Sequence, residues 1–235
     1  MAEIKVPVVR NILQANERLA AENRSRFDEA GIFVVNLMSS PGAGKTSLLE
    51  KTIEALAGRM GIAVIEGDLQ SSYDAERIQK KGVQAVQINT EGGCHLDGNM
   101  IQIALEALDL AGIDLLIIEN VGNLVCPAEF NLGEHEKITI LSVAEGDDKP
   151  IKYPLMFQIC SALLVNKIDL LPYTNCDMEK IRKTVRQLNP AGKVFEISCR
   201  TGEGFEPWLS WIANKVAEHR KNRAQACASP RMDKH

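Results

Sequence analysis

After Gly31 the chain runs Ile-Phe-Val-Val-Asn-Leu-Met, a nearly unbroken apolar stretch. A strand wet on one face alternates apolar and polar residues, so an unbroken run fits a parallel strand covered on both faces. Similar runs recur at 62–65, 83–88, 113–118, 161–165 and 193–197. Between them, apolar residues spaced three or four apart predict helices over 45–58, 69–81, 98–110, 177–188 and 204–221. In the last of these Phe205, Trp208, Leu209, Ile212 and Val216 form one apolar face. Strands and helices in alternation predict an α/β fold: a doubly wound, mostly parallel sheet with helices on both faces.

Three segments depart from that rhythm. Residues 1–30 read as a helical extension, with Ile12, Leu19 and Phe27 at helical spacing over 11–30, able to pack on the domain or on a partner. Within 124–158, Lys137–Val143 reads as an inserted strand, and Glu145–Pro154, polar with two prolines, as a mobile loop. From 219 to 235 the chain is basic and then Ala-, Ser- and Pro-containing, which predicts a frayed tail with Cys227 as a bystander. The main domain is therefore expected over 31–218.

Composition narrows the function. At 235 residues, 45% apolar and 25% charged, the chain suits one globular domain. A net charge of −4 offers no basic field for a nucleic acid or an anionic membrane surface. The start Met-Ala-Glu-Ile-Lys has no apolar leader, and no apolar run reaches about eighteen residues, so a cytoplasmic protein is expected. In a reducing cytosol, clustered members of its six cysteines are candidate metal ligands rather than disulfides.

Ser39-Ser-Pro-Gly-Ala-Gly-Lys-Thr46 lies between a buried strand and a helix, the context a phosphate-binding loop requires. Gly42, Ala43, Gly44, Lys45, Thr46 and Ser47 are expected to cradle a nucleotide. The glycines turn the amides toward phosphate oxygens, Lys45 reaches the β and γ phosphates, and the Thr46 hydroxyl ligates Mg²⁺. The usual first glycine of the motif is Ser39 here.

Asn166-Lys167-Ile-Asp169 follows a strand-like run, at the strand end where open α/β sheets bind ligands. A carboxylate at Asp169 can accept both N–H groups of guanine, a pairing adenine does not offer, so GTP is favoured over ATP. Ser198-Cys199-Arg-Thr-Gly202 sits where related GTPases have the backbone loop that covers the guanine O6, a resemblance of position only. Asp68, ending Glu66-Gly-Asp, and Glu119, opening Glu-Asn-Val-Gly122, place carboxylates near the Mg²⁺ position, although strand-end acids also cap helices. The Gly122 amide is placed to meet the γ-phosphate and so to act as a switch. Lys45, Asp68, Glu119 and Gly122 are thus the expected catalytic set. No Gln follows Gly122 and no arginine finger can be assigned, which predicts slow intrinsic hydrolysis.

Cys94 and His95 follow two glycines, and Cys126 lies four residues past Gly122. Thiolate and imidazole suit zinc, nickel or copper, but a buried Cys is also a small hydrophobe and a lone His more often satisfies a hydrogen bond. Three ligands leave a tetrahedral ion one short, so the site would be exchangeable or shared between subunits.

Taken together, Ser39–Thr46, Glu66-Gly-Asp68, Gly93-Cys-His-Leu-Asp97, Glu119-Asn-Val-Gly-Asn-Leu-Val-Cys-Pro127 and Asn166–Asp169 resemble the nickel-incorporation GTPases of [NiFe]-hydrogenase maturation. The resemblance runs over roughly 10–218. It implies a GTP-dependent homodimer holding Ni²⁺ or Zn²⁺ on Cys94, His95 and Cys126, which passes metal toward a hydrogenase large-subunit precursor alongside a small zinc-containing accessory protein. The N-terminal cysteine motif and the His-rich stretch that some members carry are absent; with four His in all, nickel storage is not expected. Urease nickel-delivery GTPases are similar but use Cys-Pro-His, whereas Cys94 is followed directly by His95. A regulatory GTPase with structural zinc, or a kinase, would be alternatives of a different class.

Overall fold

The computed structural model describes residues 8–68 and 73–228. Seven strands form one sheet: β1 Phe33–Ser39, β2 Ile62–Asp68, β3 Gln84–Asn89, β4 Leu115–Glu119, β5 Glu136–Ser142, β6 Ala162–Asn166 and β7 Lys193–Glu196. Their order is β3-β2-β4-β1-β5-β6-β7, with every pairing parallel. The helices are α1 Val8–Ala30, α2 Lys45–Leu56, α3 Tyr73–Gln79, α4 Gly98–Glu106, α5 Cys126–Glu129, α6 Lys149–Lys152, α7 Pro154–Ile159, α8 Met178–Leu188 and α9 Phe205–Ala228. This is the doubly wound architecture the apolar runs predict, and no helix among the described residues is long and apolar enough to cross a membrane.

β1 is buried along its whole length. Its side chains alternate: Phe33, Val35 and Leu37 pack with α2 and α9 residues such as Leu48, Ile53, Trp208 and Ile212, while Val34 packs with Phe27 of α1 and Ile101 of α4. Two-sided burial explains the run of apolar residues, since neither face meets water. Trp208 also donates its indole N–H to Thr52 of α2 at 3.0 Å, so the last helix is keyed to the helix that follows the phosphate loop.

Three expectations need correction. β5 is not an insertion: it lies between β1 and β6, hidden from the sequence rhythm because only the four-residue α5 separates it from β4. The segment read as a loop over Glu145–Pro154 contains α6 and the start of α7, whose prolines occupy first-turn positions, where a missing N–H breaks no helical bond. Finally, α9 continues to Ala228, so residues 219–228 are helical rather than frayed. The basic side chains there clasp the domain: Arg220 pairs with Asp114, and Arg223 donates to the Ala30 and Glu29 carbonyls at the end of α1. The Cys227 side chain and residues 229–235 lie outside the described residues.

The N-terminal helix packs on the domain through Asn16, Ala20, Asn23 and Phe27, a buried stripe at helical spacing. Asn16 accepts from the Gly98 amide (2.8 Å) and donates to Asn131 O (2.8 Å), and Asn23 donates to Gly98 O (2.9 Å) and Leu132 O (3.2 Å).

Candidate functional site

The phosphate loop links β1 to α2. Gly44 sits at φ 103°, and a Cβ there would lie 2.4 Å from the Asn166 amide nitrogen, so both backbone and space demand glycine. Lys45 Nζ lies 3.1 Å from Ser39 Oγ, and that hydroxyl donates onward to Ser40 O (2.6 Å). The serine that replaces the usual first glycine thus provides an acceptor for the loop lysine. Ser40 Oγ donates to Glu145, whose other oxygen accepts the Ser142 amide at the end of β5.

A cavity of about 480 Å³ opens at the C-terminal ends of β1, β2 and β4, lined by Gly42, Gly44 to Ser47, Glu66 to Asp68, Glu119 to Gly122, Arg77 and Lys167. Register places Glu66 beside Glu119 across the β2–β4 pair. Thr46 Oγ1 donates to Glu119 Oε1 at 2.9 Å, and Asp68 stands on the same cavity. This all-oxygen set of a hydroxyl and carboxylates next to a phosphate loop fits a hard cation that keeps several waters, as Mg²⁺ does. Gly122 is pressed against the loop: a Cβ on it would come within 3.0 Å of Pro41 Cα, Cγ and N.

The expected base-recognition residues gather beside the loop. Asn166 donates to Ala43 O (3.0 Å) and accepts from the Cys199 amide (3.2 Å), tying the phosphate loop to the segment after β7. Lys167, at φ 64°, donates to Gly42 O (2.7 Å). Asp169 accepts from Ser198 Oγ at 2.6 Å, with Arg200 at 3.7 Å. Burial pushes the Cys199 thiol up to about 11, so it stays neutral here. Of the predicted loop residues, Ala43 alone does not line the cavity; it is buried and contributes its carbonyl.

Cys94, His95 and Cys126 also come together. Cys94 Sγ lies 3.0 Å from Cys126 Sγ and 3.5 Å from His95 Nδ1, and all three ligand atoms lie within 4.8 Å of one another. A tetrahedral ion with bonds of about 2.3 Å to sulfur and 2.0 Å to nitrogen would set these separations at about 3.5–3.8 Å. The trio therefore fits such an ion after a small opening of the sulfur pair. Desolvation lowers the His95 pKa, which keeps its imidazole neutral and able to ligate; its ring lies on Phe130 at 3.8 Å. The Cys126 thiol is raised, first by its hydrogen bond with Cys94 and then by burial.

A second trio, Asp28, His135 and His219, has equally close ligand atoms, but its proton arrangement opposes a metal. The Val34 amide donates to His135 Nδ1 (3.0 Å), so the ring proton sits on Nε2 and is given to Asp28 at 2.9 Å. A metal at Nε2 would require an imidazolate. The trio is a clasp joining α1, β1 and α9.

Sequence reasoning missed Arg77, held by Glu50 through bonds of 3.1 and 2.6 Å at the cavity wall, as well as Asn120 and Glu145. Nothing in the pattern marks Arg77 or Glu145. Asn120 lies inside the conspicuous 119–127 stretch, where the flanking acid and glycine draw the attention.

A seven-stranded parallel sheet whose first strand delivers Gly-Ala-Gly-Lys-Thr into a carboxylate-lined cavity defines a P-loop nucleotide-binding protein. The family model described as "CobW/HypB/UreG, nucleotide-binding domain" matches residues 33–196. The chain belongs to the CobW/HypB/UreG family, on its hydrogenase maturation factor HypB branch. It is 52% identical over 219 residues to hydrogenase maturation factor HypB of Azotobacter vinelandii, spanning 93% of this chain and 72% of that protein. Against the Escherichia coli (strain K12) protein of the same name it is 50% identical over 212 residues, or 90% and 72% of the two chains. The crystal structure of HypB from Helicobacter pylori in complex with nickel superposes with a TM-score of 0.84 at 40% identity, covering 88% of this chain and 97% of that one.

Proposed function

We propose that this chain is a cytoplasmic GTPase metallochaperone. It binds Mg²⁺·GTP at the phosphate loop, holds Ni²⁺ or Zn²⁺ on Cys94, His95 and Cys126, and supports nickel insertion into a [NiFe]-hydrogenase precursor. The observation that carries the reading is that the two sites share one segment. Gly122 rests on Pro41 of the phosphate loop, and four residues later Cys126 meets Cys94.

Within this proposal Lys45 and the loop amides neutralise phosphate charge, while Asp169 accepts the guanine N–H pair. Thr46, Asp68 and Glu119 would hold Mg²⁺, which screens charge developing between the phosphates. The Gly122 amide senses the γ-phosphate, so hydrolysis releases the 122–126 segment and alters how Cys126 meets its partners. With three protein ligands the cargo ion keeps an exchangeable position, suited to transfer. A homodimer, a small zinc-containing accessory protein and the hydrogenase precursor complete the proposed assembly. The nickel-bound Helicobacter pylori relative favours nickel as cargo. That the hydrogenase maturation factors named above are so similar over most of this chain favours hydrogenase over urease as destination.

Two assays test this reading. GTP turnover should be slow, below about 1 s⁻¹, and release only GDP and phosphate; a phosphorylated small molecule would reveal a kinase. Equilibrium dialysis should find one Ni²⁺ or Zn²⁺ per chain at the Cys94 site, abolished in Cys126→Ala and removable by mild chelation. Metal that resists chelation would point to structural zinc.

A further inference from the structure

Three buried polar side chains, Asn120 at the cavity wall and Asn36 and Glu134 behind it, form a hydrogen-bonded chain that ends on Lys137. Asn120 follows the last residue of β4, and its backbone amide donates to Leu37 O of β1 at 2.9 Å. Its side-chain oxygen accepts two backbone N–H groups at once, Val121 at 2.9 Å and Leu96 at 3.2 Å. Its amide nitrogen donates to Asn36 Oδ1 (3.1 Å), and Asn36 in turn donates to Glu134 Oε1 (3.3 Å), which lies 3.5 Å from Lys137 Nζ. Asn120, Asn36 and Glu134 are 1%, 0% and 6% exposed, so water cannot replace a broken bond in this chain.

The two amides on Asn120 belong to the two halves of the site. Val121 precedes Gly122, the residue pressed on the phosphate loop, and Leu96 follows His95. An amide oxygen has two lone-pair directions, and here both are taken. Displacing Val121 therefore strains or releases the bond to Leu96, unless the side chain turns and gives up Asn36. Because Asn36 lies within β1, turning is opposed by the strand that feeds the phosphate loop. The surface tether between the same loops, Asn123 Nδ2 to Cys94 O at 3.3 Å, is exposed and longer.

We propose that Asn120 is the positioning residue that couples the nucleotide-sensing Gly122 segment to the Cys94–His95 loop, through one side-chain oxygen shared by the Val121 and Leu96 amides. This rests on the proposed GTP gating of metal affinity and names the group that carries it.

The test compares Ni²⁺ affinity in GDP and in a non-hydrolysable GTP analogue, in wild type and Asn120→Ala. The wild-type ratio should differ from one by at least about fivefold, the lower range of measured couplings. In Asn120→Ala, with each nucleotide at saturation so that any change in its own affinity drops out, the Ni²⁺ ratio should fall to within about twofold of one. A wild-type ratio of one refutes the gating itself and this inference with it. A coupled wild type with an equally coupled Asn120→Ala refutes the inference and leaves the gating standing. If Asn120→Ala does not fold, amide hydrogen exchange on wild type decides. Protection of Leu96 and Val121 should change together between the two nucleotide states, and a change at Val121 with none at Leu96 overturns the proposal.

Discussion

The His135 clasp predicts a stability that falls on mild acidification. Burial, partly opposed by the hydrogen bond to Asp28, lowers the His135 pKa from 6.5 to about 4. A protonated ring would have to give up the Val34 N–H, because Nδ1 would itself carry a proton. The folded state therefore holds His135 neutral, and its contribution is complete above 6.5 and is lost as pH falls toward 4. Between pH 7 and pH 5 the linkage relation gives about 2 kcal/mol for these two values. The His135 side chain is only 11% exposed but Asp28 is 52% exposed, so solvent screening trims this to about 1–2 kcal/mol. The His219 pKa is also lowered by burial, which adds a loss of the same sign.

Urea unfolding at pH 7 and pH 5 reads this directly, provided the slope with urea is unchanged. Carboxylates elsewhere titrate too, so the comparison is with His135→Asn, whose amide oxygen can still accept from Val34 but does not titrate. The variant should be less stable at pH 7 yet lose about 1–2 kcal/mol less on going to pH 5. An identical pH response in wild type and variant would refute the reasoning.

Three further outcomes follow from the nucleotide site. Gly44→Ala should abolish GTP and GDP binding while the far-ultraviolet circular dichroism stays native, since the backbone is at φ 103° and the new methyl would meet Asn166; retained binding would contradict the loop geometry. Asp169→Ala should lower the preference for GTP over ATP by at least about a hundredfold in competition binding, and unaltered selectivity would remove Asp169 from base recognition. Thr46→Val removes the hydroxyl 2.9 Å from Glu119 and should raise by about tenfold or more the Mg²⁺ concentration that half-saturates GTP turnover, with an unchanged Mg²⁺ response contradicting its role.

Most of the residues that gather at the candidate nucleotide site were legible in the sequence because they lie in short contiguous motifs at strand ends: Gly42 to Thr46, Glu66 to Asp68 and Asn166 to Asp169. Apolar runs marked the strands most plainly where both faces are buried, as in β1, whose only polar residues are Asn36 and Ser39, while β5 read as an insertion. Two kinds of feature escaped. The first is charge whose partner lies far along the chain: Arg220 and Arg223 read as a solvated tail, whereas Asp114 and the end of α1 hold them in a helix. The second is polar side chains serving distant backbone, such as Asn23 on Leu132 or Asn120 on Leu96. Spacing brought Cys94, His95 and Cys126 only to the level of candidates; their mutual distances come from the fold, which sets the loop after β3 beside the start of α5.

The proposed control of the metal site by nucleotide state runs through the 119–126 segment. It is tested most directly by measuring Ni²⁺ and Zn²⁺ affinity of the purified protein without nucleotide, with GDP and with a non-hydrolysable GTP analogue, in wild type and Cys126→Ala. Affinities should differ between the two nucleotide states by at least about fivefold in wild type, with the reciprocal effect of metal on GTP affinity, and both effects lost in Cys126→Ala. Metal affinity identical in all three nucleotide states of the wild type would contradict it.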